Sequence, residues 1–151
     1  MFQRVSQIAL NILNRLAFLA PLATRVVLGL AFFLDGRGKW TNLDKVIQFF
    51  TSLGIPFPAA NAMFISTIEL AGGLFLIAGL ATRLFAFLLS CTMIVAILTA
   101  DHQALSDKFP ADFTDVSSFT YLLFLLWLLF YGPGPISLDW LVSRFLGRRN
   151  T

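Results

Sequence analysis

The stretch FFLDGRGKW, residues 32–40, packs Asp35, Arg37 and Lys39 into five residues at the end of a long apolar run. Two further charges stand deeper in apolar surroundings: Arg25 in ATRVVLGLAFF and Glu69 in STIELAGGLF. The chain's single histidine, His102, follows Asp101. Carboxylates, a guanidinium, an amine and one imidazole suit proton exchange and hydrogen bonding to a polar ligand. They suit metal chemistry poorly. One imidazole is thin support for zinc or iron, and bis-histidine haem ligation within one chain is excluded, so no metal site is expected. Cys91 is the only cysteine; no internal dithiol cycle is available, and it reads as a small packing residue.

The elements that must position these groups follow from composition. Of 151 residues, 58% are hydrophobic and 13% charged, 17 are Phe, and the net charge is +3. Mean hydropathy is +0.81. A water-soluble domain of this size exposes too much surface for so few charges, so the chain reads as an all-α, polytopic membrane protein. Four apolar stretches, Leu16–Leu34, Met63–Ala81, Leu84–Ala100 and Val116–Tyr131, place spans at about 16–36, 59–81, 84–100 and 116–132. The expected fold is one domain over residues 1–151, a bundle of four transmembrane helices with short amphipathic surface helices.

The surface helices have their own signatures. In NLDKVIQFFTSL, residues 42–53, Leu43, Val46, Ile47, Phe50 and Leu53 share one helical stripe. Asn42 is a candidate cap, Gly54 fits just past the end, and Pro56 and Pro58 forbid continuation. Such a helix is expected to lie on the bilayer surface. MFQRVSQIALNILNRL and SLDWLVSRFLGRR have the same two-faced character, and no small-residue cleavage site makes the first a signal peptide.

Lys and Arg set orientation. Arg4, Arg15, Arg83, Arg144, Arg148 and Arg149 fall on the side of the termini, against Arg37, Lys39, Lys45 and Lys108 on the other. That bias favours cytoplasmic termini. The basic balance therefore belongs to a membrane face, and no basic stripe interleaved with aromatics suggests nucleic acid.

A charge at mid-bilayer costs about 2.5–3.5 kcal/mol on insertion scales, so it faces a cavity or a partner. Arg25 lies 11 residues before Gly36 and Glu69 lies 10 after Ala59. Counted that way the two share a depth on antiparallel helices, where an ion pair would floor an outward-opening pocket. Gly29 and Gly36 follow Arg25, and Gly72 and Gly73 follow Glu69, as small residues between closely packed helices should. Asp35 and Lys39 lie within about 80° of the Arg25 direction at 100° per residue, overhanging that pocket. Trp40 would anchor its rim. The alternative has Arg25 snorkelling to the interface, which requires the first helix to extend through Trp40.

Read together, RVVLGLAFF, DGRGKW, SLGIPFP, IELAGGLFLIAGLATR and GPGPISLD resemble, in order and spacing, the DoxX family of small four-helix membrane proteins over nearly all of residues 20–140. The resemblance implies a bacterial inner-membrane protein linked to redox work, a subunit of a quinone-reducing oxidoreductase or a partner of detoxification enzymes. Carried over by position, Arg25, Gly36, Lys39, Glu69 and Gly73 are the recurrent polar and glycine positions, while Asp35 stands where many members have His. On this reading Arg25 and Lys39 hydrogen-bond a quinone-like ligand, and Asp35, Glu69 or His102 relay protons. No cofactor motif is built in, so redox chemistry requires a bound quinone or a partner protein. A small-solute transporter or channel, which would need a homo-oligomer for a wide path, and a membrane chaperone or scaffold without chemistry are the other readings.

Overall fold

The computed structural model describes residues 16–108 and 112–147, together with Gln7 and Leu10. The amphipathic N-terminal segment and Arg148–Arg149 lie outside the described residues, apart from those two positions. Four long helices carry the fold: α1 (Leu19–Thr41), α3 (Pro58–Ala78), α4 (Thr82–Thr99) and α6 (Ser117–Tyr131). Between them sit α2 (Leu43–Ser52), α5 (His102–Lys108) and a 3₁₀ turn, Phe113–Asp115, and α7 (Leu138–Gly147) follows. There is no strand among the described residues.

The molecule is an all-α membrane protein. Helices α1, α3 and α4 are long and apolar enough to cross a bilayer. The fourth, α6, has 15 residues. It rises about 22 Å against a hydrocarbon core of about 30 Å, so the fourth expected span is too short to cross without help from its flanks or a locally thinned bilayer. The exposed surface of all four is rich in Leu, Phe, Val and Ile, as lipid contact demands.

Helices α1 and α3 form an antiparallel pair held backbone to backbone. A Cβ on Gly36 would collide with the main chain of Leu70, one on Gly73 with that of Phe33, and one on Gly29 would lie 2.8 Å from the Gly73 carbonyl oxygen. Gly36 opposite Leu70, Phe33 opposite Gly73 and Gly29 opposite Ile77 set a single register, in which α1 and α3 numbers run in opposite directions at equal pace. With no side chains between them the helices gain dispersion contacts and backbone proximity, the main attractive terms available in lipid. Gly72 faces the other way, where a Cβ would stand 3.0 Å from Leu89 of α4. Leu28, Phe32, Leu76, Leu89, Leu125 and Leu128 fill the centre between α1, α3, α4 and α6.

The turns follow local chemistry. α2 ends in a Schellman arrangement: Gly54, at φ +71°, donates to the Thr51 carbonyl, and Ile55 donates to Phe50. α3 ends the same way, with Gly79 at φ +67° bonded to Leu76, and Leu80 bonded to Phe75. Pro58 opens α3 at its first turn, where its missing N–H costs nothing. Asn42 does not cap α2 with its side chain; its Nδ2 donates backward to the Gly38 carbonyl and closes α1 instead.

Candidate functional site

The register of α1 against α3 decides which charges meet. Lys39, in the last turn of α1, lies near the level of Thr67 and reaches Glu69, whose carboxylate oxygens both accept from its Nζ at 2.5 Å. Glu69 is 2% exposed and Lys39 33%. A carboxylate this deep in an apolar bundle is strongly disfavoured alone, and the ammonium supplies both the opposite charge and the donors it needs.

Arg25 is elsewhere, which overturns its expected pairing with Glu69. It precedes Lys39 by 14 residues, about 21 Å along the helix. Counting both helices from supposed outer ends at Gly36 and Ala59 misjudged the depth, because α1 continues to Thr41. Extension through Trp40, the condition for Arg25 to stand at an interface, is met, and Arg25 lies at the end of the bundle beside Gly79; its side chain is 2% exposed and turned onto protein. Its Nη1 donates to the Pro133 carbonyl at 2.9 Å and its Nη2 to the Ile136 carbonyl at 2.7 Å. Gly79 leaves the space for it, since a Cβ there would strike the guanidinium.

Around Arg25 the two loops at that end interlock. Asp139, just after the GPGPIS turn, accepts from the backbone N–H of Ala81 at 2.6 Å and of Thr82 at 2.9 Å. It thereby caps α4 from a distant part of the chain, satisfying first-turn donors and favouring the positive end of the helix dipole. The Asp139 N–H in turn donates to the Gly79 carbonyl at 2.9 Å. Arg25, Gly79 and Asp139 thus form a structural lock, separate from the Lys39–Glu69 end. Asp139 was not singled out from sequence, although the aspartate of SLD at the head of an amphipathic stretch was its visible sign.

A cavity of about 360 Å³ opens beside the Lys39–Glu69 pair. Val46, Phe49 and Phe50 of α2, with Leu53 just past its end, cover it, and Thr92, Met93, Val95 and Ala96 of α4 wall the opposite side. The apolar stripe of α2 therefore faces this hollow, not only a bilayer surface. Thr92 turns its hydroxyl to the Leu89 carbonyl, which leaves its methyl for the wall. Lys45, an exposed residue, adds a second amine at the margin. One carboxylate and two amines give the hollow a positive balance. Its size falls in the range of small-ligand sites, and its make-up, apolar walls with a few convergent polar groups, is theirs too.

The remaining candidates spread outward. Asp35 is exposed one turn before Lys39, Trp40 is 41% exposed, and neither lines the cavity. His102 is exposed at the start of α5. Its neighbour Asp101 accepts from the Ser118 hydroxyl at 2.5 Å, tying α5 to α6. Among the described residues no cluster of His, Cys, Asp and Glu is arranged to hold a metal. Cys91, expected as a packing residue, is exposed on α4.

A family model described as DoxX matches residues 20–102, which include Arg25, the three-glycine seam, Lys39, Glu69 and the α4 wall. The chain belongs to the DoxX family. A relative from Bacillus subtilis (strain 168) named "Putative oxidoreductase CatD" is 36% identical over 140 residues, covering 91% of this chain and 96% of that one. A second, "Uncharacterized membrane protein Rv3486" from Mycobacterium tuberculosis, is 31% identical over 132 residues, covering 80% of this chain and 79% of its own length. No solved structure matches. In this DoxX chain the matched region thus holds the whole cavity floor, whereas Asp139 and the loop that binds Arg25 lie beyond it.

Proposed function

We propose that this DoxX-family protein is the membrane subunit of an oxidoreductase, set in a bacterial inner membrane with both termini cytoplasmic, and that the hollow beside Lys39 receives a quinone-like ring. The observation that carries the reading is the pairing of an apolar slot of about 360 Å³ with one ion pair at its floor, its carboxylate buried and its ammonium half-buried. A quinone ring needs flat apolar walls and donors for its carbonyl oxygens; Phe50 and Met93 offer the first, Lys39 the second. The name of the Bacillus relative supports a redox setting.

Reduction of a quinone takes two electrons and two protons. In the ion pair the transferable proton is on the Lys39 ammonium, which Glu69 holds in place; it passes to a ligand oxygen and is replaced from water at the exposed side of Lys39, once for each of the two protons. The electrons come from a partner protein that carries a redox cofactor. Arg25 has no part in this site, because its guanidinium is engaged at the opposite end of α1.

Purification in mild detergent followed by mass spectrometry of extracted lipids and bound proteins tests the proposal. A quinone near one per chain, with a cofactor-bearing partner, is the expected outcome. Protein that retains neither, from membranes rich in quinone, overturns it.

A further inference from the structure

Asp35 and Arg37 are the two charges of DGRGKW that the hollow leaves unused. Both are exposed, and among the described residues neither side chain has an ion pair or a hydrogen bond. Gly36, between them, rests on Leu70 near the middle of the 21-residue α3, so both stand beside a span and not past its end. Lone ions facing lipid at that level are unfavourable and call for a partner. They cannot serve each other, because residues two apart on a helix point in different directions.

Their directions are informative. Gly36 marks the side of α1 that meets α3. The opposite face carries Val27, Leu34 and Thr41, seven apart and all exposed. At 100° per residue, Asp35 stands about 100° to one side of Leu34 and Arg37 about 60° to the other. An apolar stripe is thus bordered by an acid along one edge and a base along the other. Copies of one chain enter the bilayer the same way round, so two that meet through α1 do so with parallel helices and a twofold axis along the membrane normal. That axis sets the Asp35 edge of each helix against the Arg37 edge of the other. The two positions differ in height by about 3 Å, which an arginine stem spans easily. The pattern is that of edge charges across a parallel coiled coil.

We infer that the outer face of α1 is the contact between two copies of this chain, centred on Val27 and Leu34 and closed at each edge by an Asp35–Arg37 ion pair. A hollow of about 300 Å³ between α1 and α6, walled by Thr24, Val27, Leu28, Tyr121 and Phe124, lies along the Asp35 edge. Leu30, exposed on the Arg37 edge, is turned toward that hollow of the other copy by the same twofold axis. Such interlocking supplies the dispersion contacts that drive helix association in lipid. The contact stands whether or not the hollow beside Lys39 binds a quinone.

The test uses full chains carrying a donor or an acceptor fluorophore on a C-terminal tag, reconstituted in liposomes and diluted with lipid. The parent should associate as a dimer. Asp35→Arg alone and Arg37→Asp alone should each self-associate at least tenfold more weakly, because like charges then meet at both edges. A mixture of the two variants should associate like the parent, since opposite charges face each other again at both edges; that recovery also shows that each variant folds. A monomeric parent, single reversals that associate like the parent, or a mixture that stays apart overturns the inference. Cross-linking checks the face itself. With Cys91→Ala as background, Leu34→Cys should give a disulfide-linked dimer under a membrane-permeant oxidant, and Leu98→Cys, at a similarly exposed position on α4, should not. Equal cross-linking at both positions contradicts the assignment of α1.

Discussion

Lys39 reaches from the last turn of α1 to both carboxylate oxygens of Glu69, a residue eleven positions into α3. The glycine seam makes that reach possible. Because Gly36 lies directly on the Leu70 backbone, one turn below, the lysine stem needs to cross only the width of two touching helices. Removing either partner leaves the other polar group without its counterpart in an apolar bundle. Glu69→Gln and Lys39→Met should each lower stability by about 2–3 kcal/mol, less than a fully buried pair, since Lys39 remains a third exposed. Replacing both by Met should recover most of the loss, because apolar groups of similar volume need no partner. Reversible unfolding in mixed micelles measures the cycle; additive losses would mean that the two side chains are energetically independent.

Gly36→Ala should weaken the α1–α3 contact by about 1–3 kcal/mol, the cost typical of overpacking. Gly38→Ala is the matched control, since nothing lies within 4 Å of the site its Cβ would occupy. On helix propensity that change should be neutral or slightly stabilising. Melting temperatures in detergent distinguish the two; equal effects would contradict the seam.

Spans α3 and α4, the surface stripe of α2 and the family were all legible in the sequence, because apolar runs, helical spacing and glycine–proline punctuation are local signals. The partner of Glu69 was not. Depth was counted from the ends of apolar runs, but DGRGKW continues as helix, so the true end of α1 lies beyond those charges. Inter-helix register depends on which backbones touch, and Gly36 and Gly73 reveal their partners only in three dimensions. Arg25 was misread for a related reason: buried cations were matched only with carboxylates. Two loop carbonyls, at Pro133 and Ile136, serve it instead, and carbonyls have no sequence signature. The lining role of α2 was hidden because an amphipathic stripe looks the same whether it faces lipid or a hollow.

The lock at the other end makes a separable prediction. Arg25→Lys keeps the charge but cannot span two carbonyls with a planar fork. Faster hydrogen exchange at the amides of Ala81, Thr82 and Asp139 should result, with quinone binding unchanged. Exchange like that of the parent would show that the guanidinium does not hold these loops together.

The exposure of Cys91 gives a simple check on the facing of α4. A nitroxide attached to it in detergent and carried into nanodiscs should relax quickly with dissolved oxygen, a reagent that partitions into lipid, and slowly with a charged, water-soluble nickel chelate. Protection from both reagents would place the residue inside the bundle.

The cavity floored by Lys39 and Glu69 is probed most directly by equilibrium titration with a tailless, water-soluble quinone. The parent should saturate at one quinone per chain, and the doubly substituted Lys39→Met, Glu69→Met protein, folded but without the pair, should bind at least tenfold more weakly. Affinity that is the same in both, or a parent that never saturates, contradicts the assignment.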